Sequence, residues 1–145
     1  MKDQVFQVEY FAFTADDKPG EGARLGDRLK KEGVNLLGIS VFPTGPGIVQ
    51  VDLIPESPDS LVKAAKKIGI QLGLPKIAFL IQGTDRPGAM AEVLERLGNM
   101  KISTRATIGL AGGGNRYGGL IWVAPTDVDA AARALGATAM AAHHA

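Results

Sequence analysis

Residues 85–97 read DRPGAMAEVLERL, and residues 17–29 read DKPGEGARLGDRL. The offset between them is 68. Extended outwards at that offset, segments 9–42 and 77–110 align without a gap, and seven of 34 positions are identical. These are Phe11/Phe79, Asp17/Asp85, Pro19/Pro87, Gly20/Gly88, Ala23/Ala91, Arg28/Arg96 and Leu29/Leu97. Unrelated segments of ordinary composition would share about two. Lys18/Arg86, Leu25/Val93, Asp27/Glu95 and Val34/Ile102 are chemically close. The chain is therefore a duplication, and the fold must be read one repeat at a time.

Each repeat opens with a β-branched and aromatic run, VFQVEYFAFT at 5–14 and KIAFLIQ at 76–82, which predicts a strand. The Pro-Gly turn follows, then a helix. In the second repeat Met90, Val93, Leu94 and Leu97 form an apolar stripe at helical spacing. In the first repeat Gly22 and Gly26 replace Met90 and Leu94. Two further strands flank a glycine-rich turn: 34–42 and 47–54, then 102–111 and 118–124. Alternation of Ile102, Thr104, Ala106, Ile108 and Leu110 with polar residues and Gly predicts one buried face. A second helix follows at 58–68, capped by Ser57 with Pro58 at its first position, and again at 127–135, where Thr126 and Asp129 suit a capping box. Short fourth strands are expected near 70–73 and 137–141.

The order β-α-β-β-α-β, met twice, predicts an α+β protein of two ferredoxin-like units. Each has an antiparallel sheet with its helices on one face, the two packed as a pseudo-dimer. Residues 1–73 and 76–140 are the expected units, and 141–145 a tail. A unit of about 70 residues buries little core alone, so mutual packing would help both.

The repeated turn is the candidate site. Proline restricts its own φ and the residue before it, glycine permits a positive φ, and aspartate is able to cap. Such a turn directs the free N–H groups of the first helical turn to one point, a natural seat for a carboxylate. A plain strand-to-helix connection has the same residues. Gly22 and Gly26 also admit two readings: space for a ligand, or close packing of the helix.

A unit of this order and length, with D-x-P-G-x-(L/M) opening its first helix, resembles the ACT domain family. DRPGAMAEVLERL matches that signature closely; DKPGEGARLGDRL departs from it at Gly22. The resemblance covers nearly the whole chain as a tandem pair. It implies a non-catalytic regulatory protein that binds a small effector, an amino acid, against the turns and at the interface between units. The residues it implies are Asp17, Lys18, Pro19, Gly20, Glu21 and Gly22 in the first repeat. In the second they are Asp85, Arg86, Pro87, Gly88, Ala89 and Met90. Asn35 and Ser103, matched at the start of each second strand, are added by analogy as hydrogen-bonding groups. The resemblance also implies a regulated protein partner or a homo-oligomer, a dimer. The difference at Gly22 suggests that the two sites are unequal.

Composition narrows the alternatives. The 145 residues are 46% hydrophobic and 21% charged, with a net charge of +1. That balance suits a globular core and argues against a broad nucleic-acid surface. With no cysteine, thiolate metal sites, disulfides and Cys nucleophiles are excluded. The only histidines are His143 and His144, so no metal site and no cofactor is expected. No secretory signal or membrane-spanning run is present, which makes a cytoplasmic protein with no membrane partner the expectation. The glycine run at 109–119 lacks the Lys-Ser/Thr pair of a phosphate loop. Strands GIVQVDLI and GGLIWVA lack the aromatic and basic pattern of an RNA module. Asp85, Arg86, Glu21, Arg105, Arg116 and Tyr117 form no recognised catalytic constellation. A small enzyme on the same scaffold and a purely structural interaction module remain the alternatives.

Overall fold

The computed structural model describes residues 3–140. The chain divides into two compact units, one of residues 9–76 and one of residues 77–140 joined by residues 3–8.

In the unit of 9–76, strand β1 (Gln4–Asp16) leads through the Pro-Gly turn into helix α1 (Glu21–Lys31). The hairpin β2 (Leu36–Gly45) and β3 (Ile48–Pro55) follows, then helix α2 (Pro58–Ile68). Strand order is β2-β3-β1, antiparallel throughout. Phe11, Val51 and Leu53 point to one face and are buried with Leu29 of α1 and Leu61 and Ala64 of α2. Both helices therefore cover the same side. Full burial of a side chain such as Leu53 contributes roughly 1.5–3 kcal/mol. Ser57 caps α2, its Oγ accepting from Ser60 N at 3.3 Å, and Pro58 occupies the first turn.

The second unit repeats the plan: β4 (Lys76–Thr84), α3 (Ala89–Asn99), β5 (Thr104–Gly113), β6 (Arg116–Val123) and α4 (Val128–Leu135). The offset of 68 holds through both hairpins. Val41 faces Val51 as Gly109 faces Gly119, and Phe11 faces Leu53 as Phe79 faces Ile121. Even the register shifts recur, at Leu36/Gly38 and Thr104/Ala106. Phe79, Ile81, Val93, Leu97, Ile121, Ala131 and Leu135 form the core. The ferredoxin-like α+β topology, with helices on one face of an antiparallel sheet, is present in each unit.

Four expectations need correction. Residues 3–8 belong with 77–140, not with the first repeat. At 13 residues β1 is about 43 Å long, more than one hairpin-sized sheet can pair. Its second residue, Val5, is 4% exposed, in one core with Phe79 and Ile81. The fourth strands are also largely missing. Residues 70–75 form no strand, and a single bond from Gly73 N to Ala12 O, 2.9 Å, ties them to β1. Of 137–141 only β7 (Thr138–Ala139) is a strand, parallel to β1 at Phe6 and Gln7; Ala141 and the tail lie outside the described residues.

The third correction concerns β5. It is an edge strand with no buried face; Ile108 and Leu110 are 45% and 72% exposed. The shift between Thr104 and Ala106 breaks the alternation on which the expectation rested. Finally, Thr126 and Asp129 form no capping box: residues Pro125–Asp127 make a 3-10 turn ahead of α4.

Candidate functional site

The two Pro-Gly turns have the same backbone. Gly20 and Gly88 take φ of 89° and 78°, a left-handed conformation costly for any other residue. Asp17 N donates to Gly47 O at 3.0 Å, and Asp85 N to Asn115 O at 2.8 Å. Arg24 N reaches Gly20 O at 3.0 Å, and Glu92 N reaches Gly88 O at 3.2 Å. Main-chain bonds hold both turns in the same way, and among the described residues neither Asp17 nor Asp85 caps the helix that follows. The capping role open to them in the sequence is not used.

What surrounds the turns differs. In the unit of 9–76 a cavity of about 190 Å³ opens between the turn, α1 and the hairpin. Its floor is apolar, with Phe13, Leu25, Val41, Val49, Val51 and Ile70 among its walls. Its rim is charged and balanced: Asp16, Asp17 and Glu21 against Lys18, Arg24 and Arg28. Lys18 pairs with Asp16 at 3.7 Å and Arg24 with Glu21 at 3.2 Å. Both pairs are solvent-exposed, worth about 0–1 kcal/mol, and easily exchanged for a ligand's charges. Arg28 donates to the carbonyl of Ile68 at the end of α2. Gly22 lines the cavity, and a Cβ there would touch nothing within 4 Å.

In the other unit the corresponding space holds protein. Met90, the counterpart of Gly22, lies across Gly109 and Gly119. A Cβ on Gly109 would come within 2.8 Å of Met90 Cγ, and one on Gly119 within 2.9 Å of Met90 Sδ. The exchange is reciprocal: glycine on the helix faces paired valines on the hairpin, whereas methionine faces paired glycines.

The second turn also carries its own anion. Asp3, its side chain 1% exposed, accepts from Arg86 Nη1 and Nη2 at 3.0 and 3.2 Å and from Tyr117 Oη at 2.6 Å. Arg86 reaches Thr84 O at 2.9 Å and Glu92 at 2.8 Å as well. Gly83 leaves room for the carboxylate; a Cβ there would collide with it. Burial alone would raise the Asp3 pKa, but hydrogen bonds from Arg86 and Tyr117 and the guanidinium charge outweigh it and hold it below its ordinary value. Burial, followed by the hydrogen bond to the Asp3 carboxylate, pushes the Tyr117 hydroxyl up. Hydrogen bonds to Asp3 and Glu92 raise Arg86.

Of the sequence-predicted residues, Asp17, Lys18, Glu21 and Gly22 meet at the cavity. Pro19 and Gly20 shape its turn. Asn35 does not line it; its Nδ2 donates to Glu56 at 2.7 Å. In the second repeat Arg86 binds Asp3, Met90 fills the space, and Ala89 is 5% exposed in the core. Asp85, Pro87, Gly88 and Ser103 are exposed. Gly26, linked to Gly22 in the sequence argument, is not among the lining residues, and its counterpart Leu94 is 38% exposed. Arg24, Arg28 and Asp16 escaped the sequence reading, as did Asp3, Glu92 and the pairing of Tyr117 with Asp3. For the cavity a signal existed in the exchange of Gly22 and Val41 for Met90 and Gly109. For Asp3 there was none, because its partner Arg86 is 83 residues away.

Among the described residues no group of three or more His, Asp or Glu side chains is placed to hold a metal ion. No helix among them is long and apolar enough to cross a membrane.

No family model matches the chain, and no curated protein matches it. Solved structures do. The chain is similar to protein BT0572 of Bacteroides thetaiotaomicron, with a TM-score of 0.73 at 20% identity over 94% of this chain and 90% of that one. It is similar to the ligand-free regulatory subunit of aspartate kinase from Thermus thermophilus, with a TM-score of 0.63 at 14% identity over 94% and 95%. The regulatory subunit of aspartate kinase from Thermus flavus gives 0.58 at 15% over 94% and 95%. At these identities the likeness is one of fold, and it extends along nearly the full length of each chain.

Proposed function

We propose that this chain is a non-catalytic regulatory protein that senses a free amino acid in the cavity of the unit of 9–76. The observation that carries the reading is the cavity itself: about 190 Å³ of apolar space opening at the Pro-Gly turn beneath a rim of three acidic and three basic side chains. Such a rim suits a zwitterion. The Asp17 carboxylate makes no side-chain hydrogen bond or ion pair among the described residues and stands ready for an ammonium group; Lys18 and Arg24 are held only by weak surface pairs and are free to turn to a carboxylate. The fold shared with the regulatory subunits of aspartate kinase, and the resemblance of DRPGAMAEVLERL to the ACT signature, support the same reading.

Regulation follows where the ligand prefers one conformation of the chain, or of its assembly with a regulated partner or a second copy, over another. A thermal-shift screen with the twenty amino acids tests the proposal. A ligand at one hundred times its dissociation constant stabilises by about 2.7 kcal/mol, a clear rise in midpoint. At least one amino acid should produce it at millimolar concentration; twenty flat responses would remove the reading.

A further inference from the structure

Resting on that reading, we propose that the cavity selects an amino acid with an aliphatic side chain, and that Gly22 is its specificity-determining residue. The second unit shows what belongs in the space. Its own chain supplies Met90, a flexible apolar side chain laid across the Gly109–Gly119 pair of the hairpin. In the unit of 9–76 the hairpin pair is Val41–Val51, the helix residue is Gly22, and the space between them is open. The ligand's side chain takes the place that Met90 takes in the repeat.

Size and polarity agree. A dry cavity of about 150 Å³ accommodates benzene, so one of 190 Å³ takes a side chain of about three to six carbon or sulfur atoms with its Cα at the rim. Valine, leucine, isoleucine and methionine fit. A charged side chain directed at Phe13, Val49 and Val51 would lose its hydration without a partner on that floor. Lysine, aspartate and glutamate are therefore excluded by the floor although the rim accepts their zwitterionic head. Threonine, nearly isosteric with valine, is discriminated by about 100-fold, the usual limit for rejecting a hydroxyl in an apolar pocket. Glycine has nothing to bury and binds weakly.

Titration calorimetry on the full chain with leucine, methionine, valine, threonine, lysine, aspartate and glycine tests this, beside Gly22→Met and Val41→Phe variants. The expected result is binding of leucine or methionine at least ten-fold tighter than of lysine, aspartate or glycine, lost in Gly22→Met. A Cβ at Gly22 meets no neighbour, so the variant should fold with a midpoint at or above that of the parent. Should it not fold, Val41→Phe narrows the same cavity from the hairpin side and should weaken leucine at least ten-fold. Tighter binding of lysine or aspartate than of leucine overturns the aliphatic assignment and leaves amino-acid sensing standing. Leucine affinity unchanged in both variants overturns the assignment of the pocket. No heat with any amino acid overturns the sensing proposal itself.

Discussion

The turn at 17–22 and the turn at 85–90 share a backbone and differ in what fills the space beneath them. Both start a helix from a left-handed glycine, and both are pinned by the same two kinds of main-chain bond. Beneath the first lies a cavity; beneath the second lie Met90 and, beside it, the Asp3–Arg86–Tyr117 cluster. What is duplicated is the scaffold. A few substitutions decide whether a copy is a container or is already full.

The most disruptive substitution is Met90→Gly. It removes the side chain that packs on Gly109 and Gly119 and adds a glycine to a helix. A loss of about 3–4 kcal/mol is expected in denaturant unfolding. If the folded variant persists, its vacated space should bind an aliphatic amino acid, giving two sites per chain. Asp3→Ala comes next. It leaves Arg86 and the half-buried end of Tyr117 without their carboxylate and should cost about 2 kcal/mol. Tyr117→Phe removes one charge-assisted bond from a buried ring and should cost about 1–2 kcal/mol.

The same cluster gives a pH signature. Asp3 is held below its ordinary value of 3.8, so the folded chain binds its proton less readily than the unfolded chain. Its stabilising contribution is complete above that value and is lost as pH falls through the lower, folded one. Tyr117 is raised above 10.0, so its contribution is complete below pH 10 and is lost as pH rises through the folded value. Unfolding curves of Asp3→Asn should lack the acid-side part of this dependence. An acid limb of unchanged shape would place it on other carboxylates.

Gly109→Ala should couple to Met90. Its Cβ would meet Met90 Cγ at 2.8 Å, an overpacking of about 1–2 kcal/mol. In the Met90→Gly background that cost should vanish. A double-mutant cycle showing simple additivity would mean that the methionine and the glycine notch are not matched. The smallest effect is Ser57→Ala, which should loosen α2 by about 1 kcal/mol and spare ligand binding.

The sequence made much of this legible, because a duplication carries its own internal control. Periodicity and turn residues located both hairpins and all four helices to within a few residues. In the sequence Gly22 allowed either open space or close helix packing, and open space is what surrounds it. What escaped it was non-local. Nothing near Asp3 announces a partner 83 residues away, and nothing in β1 announces that its first residues join the other unit's core. The alternation in β5 misled because one register shift turns side chains to the opposite face. Gly26 misled because Leu94, its counterpart, lies at the surface.

Binding stoichiometry distinguishes an open first unit from a filled second one. Calorimetric titration of the parent chain with leucine or methionine should give one site per chain, lost in Gly22→Met and kept in Tyr117→Phe. Two equal sites per chain, or binding indifferent to Gly22, would contradict the account.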